Sequence, residues 1–216
     1  MQPARLPKTD IPRTYTWIAP THDWLAVLVE ANARKLGIQW ADVRDGEDVL
    51  EVAVGTGLTF RKLLKQNPNG RTEGVDLTPA MLHRAQKRAR RTANTNYGLH
   101  LGDAYALPFP DASFDLVINS YMFDMLPAAD FVPVLREYKR VLRPGGRLVM
   151  MNMTLGPQWY HQLWETIYRI WPPMLGGCRG IKLAPSFSSA GFTTVRHAFV
   201  SQWTFPSEVI YGERPA

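Results

Sequence analysis

Short apolar runs alternate with amphipathic segments along the first 152 residues. Continuous apolar runs bounded by glycine, proline or aspartate predict buried strands, and apolar residues at helical spacing predict helices that pack on them. The predicted strands are Asp48–Val54, Arg71–Asp76, Tyr97–Leu101, Phe114–Asn119 and Arg147–Asn152. The predicted helices are Asp23–Leu36 (ended by Gly37), Leu58–Gln66, Pro79–Arg91 (capped by Thr78) and Asp130–Leu142 (ended by Pro144-Gly145-Gly146).

Five strands that alternate with helices favour a parallel sheet covered by helices on both faces. The remaining residues predict a helix from Trp159 to about Leu175. Two β segments follow, Thr193–Val200 and Trp203–Tyr211, joined at Ser201-Gln202, and this hairpin adds an antiparallel edge to the sheet. The predicted fold class is α/β, a Rossmann-like doubly wound sheet in a single domain.

Composition narrows the class of protein. The 216 residues are 45% hydrophobic and 20% charged, which suits a globular domain, and no run is long enough to span a bilayer. With no signal-peptide pattern at the N-terminus, a cytoplasmic protein is expected. The single cysteine, Cys178, excludes an internal disulfide and a multi-cysteine metal site, so no metal is predicted.

The net charge of +6 favours anionic partners such as nucleic acid or an anionic lipid surface. Much of the basic charge lies in one run, His83–Arg91, which is typical of the solvated face of an amphipathic helix. No nucleic-acid-binding module accompanies it, so no nucleic-acid partner is expected. Peripheral contact with the inner face of the membrane is left open.

The residues that follow each strand carry the candidate chemistry, because ligands of doubly wound sheets bind at the carboxyl ends of the strands. Gly55 and Gly57 follow the first strand and permit a tight turn, but a complete dinucleotide fingerprint and a P-loop are both missing. Asp76 ends the second strand, where a carboxylate can accept hydrogen bonds from ribose hydroxyls; a helix-capping role is the alternative. Asp103 follows the third strand, and Asn119 and Ser120 end the fourth.

These motifs together resemble class I S-adenosylmethionine-dependent methyltransferases, especially the branch around the ubiquinone/menaquinone C-methyltransferases. The resemblance covers about residues 15–154. It is carried by V-L-E-V-A-V-G-T-G (Val49–Gly57), G-V-D-L-T-P-A-M-L (Gly74–Leu82), G-D-A-Y-A-L-P-F-P-D-A-S-F-D-L-V (Gly102–Val117) and L-R-P-G-G-R-L (Leu142–Leu148). It implies seven strands in the order 3-2-1-4-5-7-6 and S-adenosylmethionine as cofactor, with S-adenosylhomocysteine as product.

The resemblance also implies a role for individual residues. Residues near the methionine part and the ribose would be Glu51, Ala53, Gly55, Gly57 and Asp76. Residues near the adenine would be Leu77, Met81, Asp103 and Ala104. Asn119 and Ser120 would lie towards the sulfonium, and Tyr15 would help to close the site. Ala53 departs from the pattern because it stands where the family usually has its first glycine.

Candidate catalytic residues are Tyr121 and Asp124, after the fourth strand, and His22, in a segment that usually folds over the cofactor in relatives. Two of them have a plainer alternative: Asp124 as a helix-capping or salt-bridged acid, and His22 as a surface histidine. The methyl group of the cofactor is already activated, so alignment of the acceptor is the main requirement and a base is needed only if the acceptor loses a proton.

The acceptor is inferred from the variable C-terminal part. Its aromatic stripe, Trp159 to Trp171, either packs on the core or covers a flat, apolar acceptor. The predicted division is a helical cap (1–40), a cofactor-binding core (41–154), an acceptor lid (155–190) and a closing hairpin (191–216). A quinone-like, phenolic, thiol or amine acceptor is expected for a monomer or homodimer. A phospholipid-headgroup N-methyltransferase and a non-catalytic S-adenosylmethionine-binding accessory protein are the alternatives.

Overall fold

The computed structural model describes residues 2–4 and 28–216. In this part of the chain, seven strands form one sheet: β1 Asp48–Val52, β2 Arg71–Asp76, β3 Tyr97–Leu101, β4 Phe114–Ser120, β5 Leu142–Met153, β6 Thr193–Gln202 and β7 Phe205–Glu213. The α-helices are α1 over residues 28–41, α2 Phe60–Gln66, α3 Pro79–Ala89, α4 Phe131–Val141, α5 Gln162–Ile170 and α6 Ala184–Ala190. Short 3₁₀ helices are Phe123–Met125, Ala128–Asp130, Trp159–His161 and Pro172–Leu175.

The strand order is β3-β2-β1-β4-β5-β7-β6, which confirms the predicted fold class. The first five strands are parallel, and β7 is antiparallel to both β5 and β6. The central strands β1 and β4 are buried almost throughout, as their unbroken apolar sequences predict. The chain reverses its direction of winding between β1 and β4, so a crevice opens at the carboxyl ends of these two strands.

Two boundaries differ from the sequence prediction. Gly37 does not end α1, which continues to residue 41. A Cβ atom at Gly37 would lie 2.4 Å from the Met151 sulfur, so this glycine permits close contact with β5 rather than termination. The C-terminal hairpin turns at Trp203-Thr204, two residues later than predicted, and both residues have positive φ values of 50° and 67°.

Two further differences lie in β5 and α6. The structure pairs Leu142 with Phe114, and Arg147 with Leu116, so β5 begins before the Pro144-Gly145-Gly146 turn and carries it as an irregularity. Helix α6 was not predicted, since its Ser-rich sequence has little helical preference. No helix in residues 28–216 is long and apolar enough to cross a lipid bilayer.

Candidate active site

One cavity lies at the carboxyl ends of β1, β2 and β4, with α1 on its other side. It contains about 1080 Å³ of empty space, including its open mouth. Most of its wall is apolar, and a few charged side chains project into it, which is the usual composition of a small-molecule site. Its position is the one expected for a ligand site in a doubly wound sheet.

The turn after β1 has a left-handed backbone at three alternate residues. The φ values are +57° at Ala53, +55° at Gly55 and +82° at Gly57. Ala53 and Gly55 line the cavity, and a Cβ atom at Gly55 would meet no protein atom within 4 Å. Gly57 is not a lining residue: a Cβ atom there would lie 3.0 Å from the Ala85 Cα atom, so this glycine lets the turn pack on α3.

Asp76 holds the turns after β1 and β2 together. Its Oδ2 atom accepts a hydrogen bond of 2.7 Å from the Gly55 amide, and its Oδ1 atom accepts one of 2.8 Å from the Thr78 amide. Burial raises the pKa of this carboxyl group, and the amide hydrogen bonds act in the opposite direction. Each carboxylate oxygen can accept a further hydrogen bond, so Asp76, which lines the cavity, can still bind a ligand hydroxyl.

Glu51 is the least solvated acid of the cavity wall, with 1% of its surface exposed. Its Oε2 atom has no hydrogen-bond partner among the described residues. Burial raises the pKa of Glu51 well above its usual range, while the nearby Arg34 guanidinium lowers it and the Asp76 carboxylate raises it. A buried oxygen without a partner is costly, so this position favours a ligand that donates a hydrogen bond.

Two residues of α1 that sequence reasoning missed also line the cavity. Glu30 and Arg34 are buried, and Arg34 Nη2 donates to Glu30 Oε2 over 2.6 Å. The Arg34 Nε atom has no partner among the described residues. An i, i+4 Glu–Arg pair is usually a solvent-exposed helix feature, whereas the packing of α1 over the sheet buries this one.

The remaining wall has a mixed end and an apolar end. Leu77, Met81, Asp103 and Ala104 line the part beyond β2 and β3, where the sequence predicts the adenine. Ser120 and Tyr121 line the part beyond β4 with three apolar residues: Met122, Met125 and Leu126. The Ser120 hydroxyl is buried and has no partner among the described residues.

Tyr121 has a strained backbone and a fixed side chain. Its φ value is +53°, which is uncommon for a residue with a Cβ atom. Its hydroxyl lies 2.8 Å from the Ser207 Oγ atom of β7. Burial raises the pKa of Tyr121 well above its usual range, and the Glu30 carboxylate acts in the same direction. Tyr121 is therefore a neutral hydrogen-bonding group of the wall.

Three of the predicted site residues within the described part of the chain do not line the cavity: Gly57, which packs on α3, Asp124 and Asn119. Asp124 is fully buried, and its Oδ2 atom accepts a hydrogen bond of 2.9 Å from the Met153 amide at the end of β5. The Asn119 side chain donates to the Val52 carbonyl within the sheet. The structure therefore brings together nine of the predicted cofactor residues with Tyr121: Glu51, Ala53, Gly55, Asp76, Leu77, Met81, Asp103, Ala104 and Ser120.

The remaining predictions concern the N-terminal cap and the lid. Tyr15 and His22 lie outside the described residues. No described side chain of residues 155–190 belongs to the cavity wall. In the aromatic stripe, Tyr168 is buried in the core and Trp159 and Trp171 are exposed. The roles of the cap and the lid stay predictions.

Comparison with known proteins adds the family. Residues 49–146 match a methyltransferase domain family. The demethylmenaquinone methyltransferase of Thermus thermophilus is 33% identical over 171 residues, which cover 76% of this chain and 75% of that protein. The chain belongs to the S-adenosylmethionine-dependent methyltransferase family. The resemblance predicted from the four motifs is confirmed.

Some relatives match this chain over only part of their length. The demethylmenaquinone methyltransferase of Tropheryma whipplei strain Twist is 35% identical over 130 residues, 60% of this chain, and the chain spans about half (52%) of that relative's length. Among solved structures, the complex between the Haloferax volcanii Trm112 methyltransferase activator and a methyltransferase gives a TM-score of 0.76 at 20% identity, covering 95% of this chain and 98% of that chain. At this identity the likeness shows the methyltransferase fold alone.

Proposed function

We propose that this chain transfers a methyl group from S-adenosylmethionine to a small, fairly apolar acceptor, with a reduced quinone as the first candidate. The observation that carries the proposal is a single cavity with carboxylates beyond β1 and β2 and an apolar wall beyond β4. The relatives named demethylmenaquinone methyltransferases support the choice of a quinone-like ring. A phenol, a thiol or an amine belongs to the same acceptor class.

The described residues fit the nucleoside half of the cofactor. Asp76 has hydrogen-bonding capacity left for the ribose hydroxyls at the end of β2. Leu77 and Met81 offer apolar contact to the adenine, and Asp103 offers an acceptor for its amino group. The open space above Gly55 leaves the backbone accessible to the ligand.

The amino-acid half of the cofactor carries an ammonium and a carboxylate group, and the cavity has a counterpart for each. The unpartnered Glu51 Oε2 atom fits the ammonium, and the unpartnered Arg34 Nε atom fits the carboxylate. Glu51 and Arg34 lie close enough for the Arg34 charge to lower the pKa of Glu51. These two buried groups, otherwise left without a full set of partners, support a charged ligand at this position.

When bound, S-adenosylmethionine supplies a methyl group activated by the positive charge on its sulfur. The chain's own residues would then align the acceptor and exclude water. Met122, Met125 and Leu126 form an apolar wall for a flat ring. Glu30 is the carboxylate of this part of the cavity, within electrostatic reach of Tyr121, and it can accept a hydrogen bond or a proton from an acceptor hydroxyl. Asp124 accepts the Met153 amide outside the cavity wall, so it does not take part in proton transfer in this proposal.

The two alternatives make different demands on the same cavity. A phospholipid-headgroup N-methyltransferase would need a lipid amine at the Glu30 end, together with peripheral contact with the membrane. A non-catalytic accessory protein would bind the cofactor and transfer nothing. The proposal covers a monomer as well as a homodimer.

Calorimetry with S-adenosylhomocysteine, followed by a transfer assay with tritiated S-adenosylmethionine, tests the proposal. The acceptors are a prenylated 1,4-naphthoquinol without the ring methyl group, phosphatidylethanolamine vesicles and bulk RNA. Label in the naphthoquinol would support the proposal. Label found only in the phospholipid or only in the RNA would show that the acceptor belongs to that class instead. Binding of S-adenosylhomocysteine without transfer to these acceptors or to a cell extract would favour the accessory role, and no binding would overturn all transferase functions.

A further inference from the structure

Large apolar side chains are exposed on the segment from the 3₁₀ helix Trp159–His161 through α5 to Trp171, and on the β6–β7 hairpin. We call this group the aromatic surface, and it consists of Trp159, Leu163, Ile170, Trp171, Phe199 and Trp203. Their exposed fractions run from 44% at Phe199 to 82% at Trp159. Exposed apolar residues scattered singly need no explanation, but a contiguous group of this kind marks an interaction site.

Ring contacts, a hydrogen bond and helical spacing relate members of the aromatic surface to one another. Leu163 and Ile170 are seven residues apart on α5 and therefore share one face of the helix. The Trp159 ring contacts the Tyr160 ring, and the Tyr160 ring contacts the His161 ring. The His161 ring in turn lies 5.4 Å from the ring of Phe199. The Trp164 indole nitrogen donates to the Thr204 hydroxyl over 3.1 Å, which places the hairpin tip with Trp203 beside α5.

The segment that carries this surface has an excess of positive charge. Residues 155–204 contain four Lys or Arg residues and a single acid, Glu165. Three of the four cations are exposed: Arg169, Lys182 and Arg196. The Glu165 carboxylate is half-buried and accepts the Gly180 amide at 2.8 Å, so its charge is directed inwards. An apolar surface carried by a segment with excess positive charge complements an anionic lipid headgroup layer.

The residue types also favour a bilayer over a protein partner. Trp is enriched where a protein meets the membrane–water interface, because its ring is apolar and its N–H group is polar. Half of the aromatic surface is Trp: Trp159, Trp171 and Trp203. Short amphipathic helices with Leu, Ile and Trp on one face bind at the level of the headgroups without spanning the bilayer.

The aromatic surface is connected to the cavity. The Trp164 ring lies 5.1 Å from the ring of Phe205, and Phe205 lies 6.2 Å from Tyr121, which lines the cavity. Next to the hairpin tip, Gln202 accepts a hydrogen bond of 2.7 Å from the Asn32 amide of α1. The helix that carries Glu30 and Arg34 is thus tied to the same hairpin.

We propose that the aromatic surface docks on an anionic lipid bilayer, so that the cavity takes up its apolar acceptor directly from the lipid. The uptake step rests on the function proposed above, whereas docking is a property of the surface and can be measured without any acceptor. Because apolar burial and electrostatic attraction both contribute, binding should weaken when salt is raised.

The test is sedimentation of the full chain with vesicles of phosphatidylglycerol and phosphatidylcholine in equal parts, compared with phosphatidylcholine alone. We expect stronger binding to the anionic vesicles, and quenching of Trp fluorescence by brominated lipid. The triple variant Trp159→Ser/Trp171→Ser/Trp203→Ser should lower the partition coefficient by about tenfold or more, because each ring removes apolar area. Its affinity for S-adenosylhomocysteine should stay the same, since none of the three lines the cavity.

Leu101→Ser is the matched control, because Leu101 is 61% exposed but lies on β3, at the opposite edge of the sheet. If the triple variant does not fold, the single Trp203→Ser variant at the hairpin tip replaces it. Absence of binding to anionic vesicles, equal binding to neutral vesicles, or an unchanged partition coefficient in the variants would overturn the proposal. The proposal would also be overturned if the triple variant changed from dimer to monomer but still bound the vesicles. That result would assign the surface to contact with a second copy of the chain. If the wild-type chain did not bind S-adenosylhomocysteine, the proposed function would be refuted instead.

Discussion

Arg34 and Glu30 form an ion pair of 2.6 Å on one turn of α1, and both side chains are buried in the wall of the cavity. Charges are rarely buried in pairs without a functional or structural demand, because desolvation costs several kcal/mol per ion. The Arg34 guanidinium lowers the pKa of both Glu51 and Tyr121, and the Glu30 carboxylate raises the pKa of Tyr121, so the ion pair acts on residues at both ends of the cavity. The pair therefore joins the proposed cofactor end of the cavity to its acceptor end.

Arg34→Gln should weaken the binding of S-adenosylhomocysteine by about tenfold or more, since a charge-assisted hydrogen bond to the ligand carboxylate is lost. The binding of 5′-methylthioadenosine, which has no amino-acid part, should change by no more than about twofold, an effect well under 1 kcal/mol. Calorimetry with the two ligands measures the difference directly.

Lys35→Gln serves as a control, because Lys35 is the exposed cation next to Arg34 on the same helix. The double variant Glu30→Gln/Arg34→Gln separates ligand binding from the cost of leaving Glu30 unpaired. Equal losses of affinity for both ligands would mean that Arg34 only stabilises the fold.

Asp76→Ala should weaken both ligands by about tenfold or more, because both contain the ribose hydroxyls that Asp76 is proposed to accept. The contrast with Arg34 is the informative result, as one position acts on both ligands and the other on only one. Asp76 also accepts the Gly55 and Thr78 amides, so thermal unfolding must confirm that the variant is folded at the temperature of the titration. Unchanged affinities would place the ribose elsewhere.

The sequence predicts the acids at the ends of β2 and β3 because the alternation of strands and helices along the chain locates the end of each strand. The same reasoning misses Glu30 and Arg34, which read as an ordinary solvent-facing pair until α1 is packed over the sheet. A partial signal exists: Val29 and Ala33, each one position before them, are buried and define the packed side of α1. For Asp124 the sequence gives its place after β4 but not the direction of its side chain, which β5 determines through the Met153 amide.

Ala53→Gly should stabilise the protein. Ala53 has a φ value of +57°, and a left-handed conformation costs a residue with a Cβ atom about 1–2 kcal/mol. Glycine removes that cost but adds chain entropy to the unfolded state, so we expect a net gain of about 0.5–1 kcal/mol in the free energy of unfolding. Urea denaturation measures it.

The comparison for this substitution is Ala128→Gly, at an exposed residue of the 3₁₀ helix Ala128–Asp130. Its φ value is not in the left-handed region, so the same chemical change should lower stability by about 0.5–1 kcal/mol. Opposite signs for the two variants identify backbone strain as the cause. A loss of stability in both would show that the Ala53 methyl group contributes packing that outweighs its strain.

The stability of the Asp124→Asn variant relative to the wild type should increase as the pH rises from 5 to 8. Burial raises the pKa of Asp124 to about 7 in the folded protein, and the Glu30 carboxylate adds to the effect, against the Met153 amide and the Arg179 charge. A folded-state pKa above the unfolded value means that the neutral acid favours folding. The wild type therefore loses this contribution as the pH rises from about 4 through 7.

The asparagine side chain of this variant would be neutral at every pH and could still accept the Met153 amide hydrogen bond that Asp124 accepts in the wild type, so the variant keeps the contact without the titration. Glu51 and Asp76, whose pKa values are also raised by burial, contribute equally to both proteins and cancel in the difference. The difference in unfolding free energy between variant and wild type should grow by about 1 kcal/mol or more between pH 5 and pH 8. Asp111→Asn, at an exposed carboxylate paired with Arg140, controls for the loss of one negative charge. A difference that stays constant with pH would show that Asp124 remains ionised throughout this range.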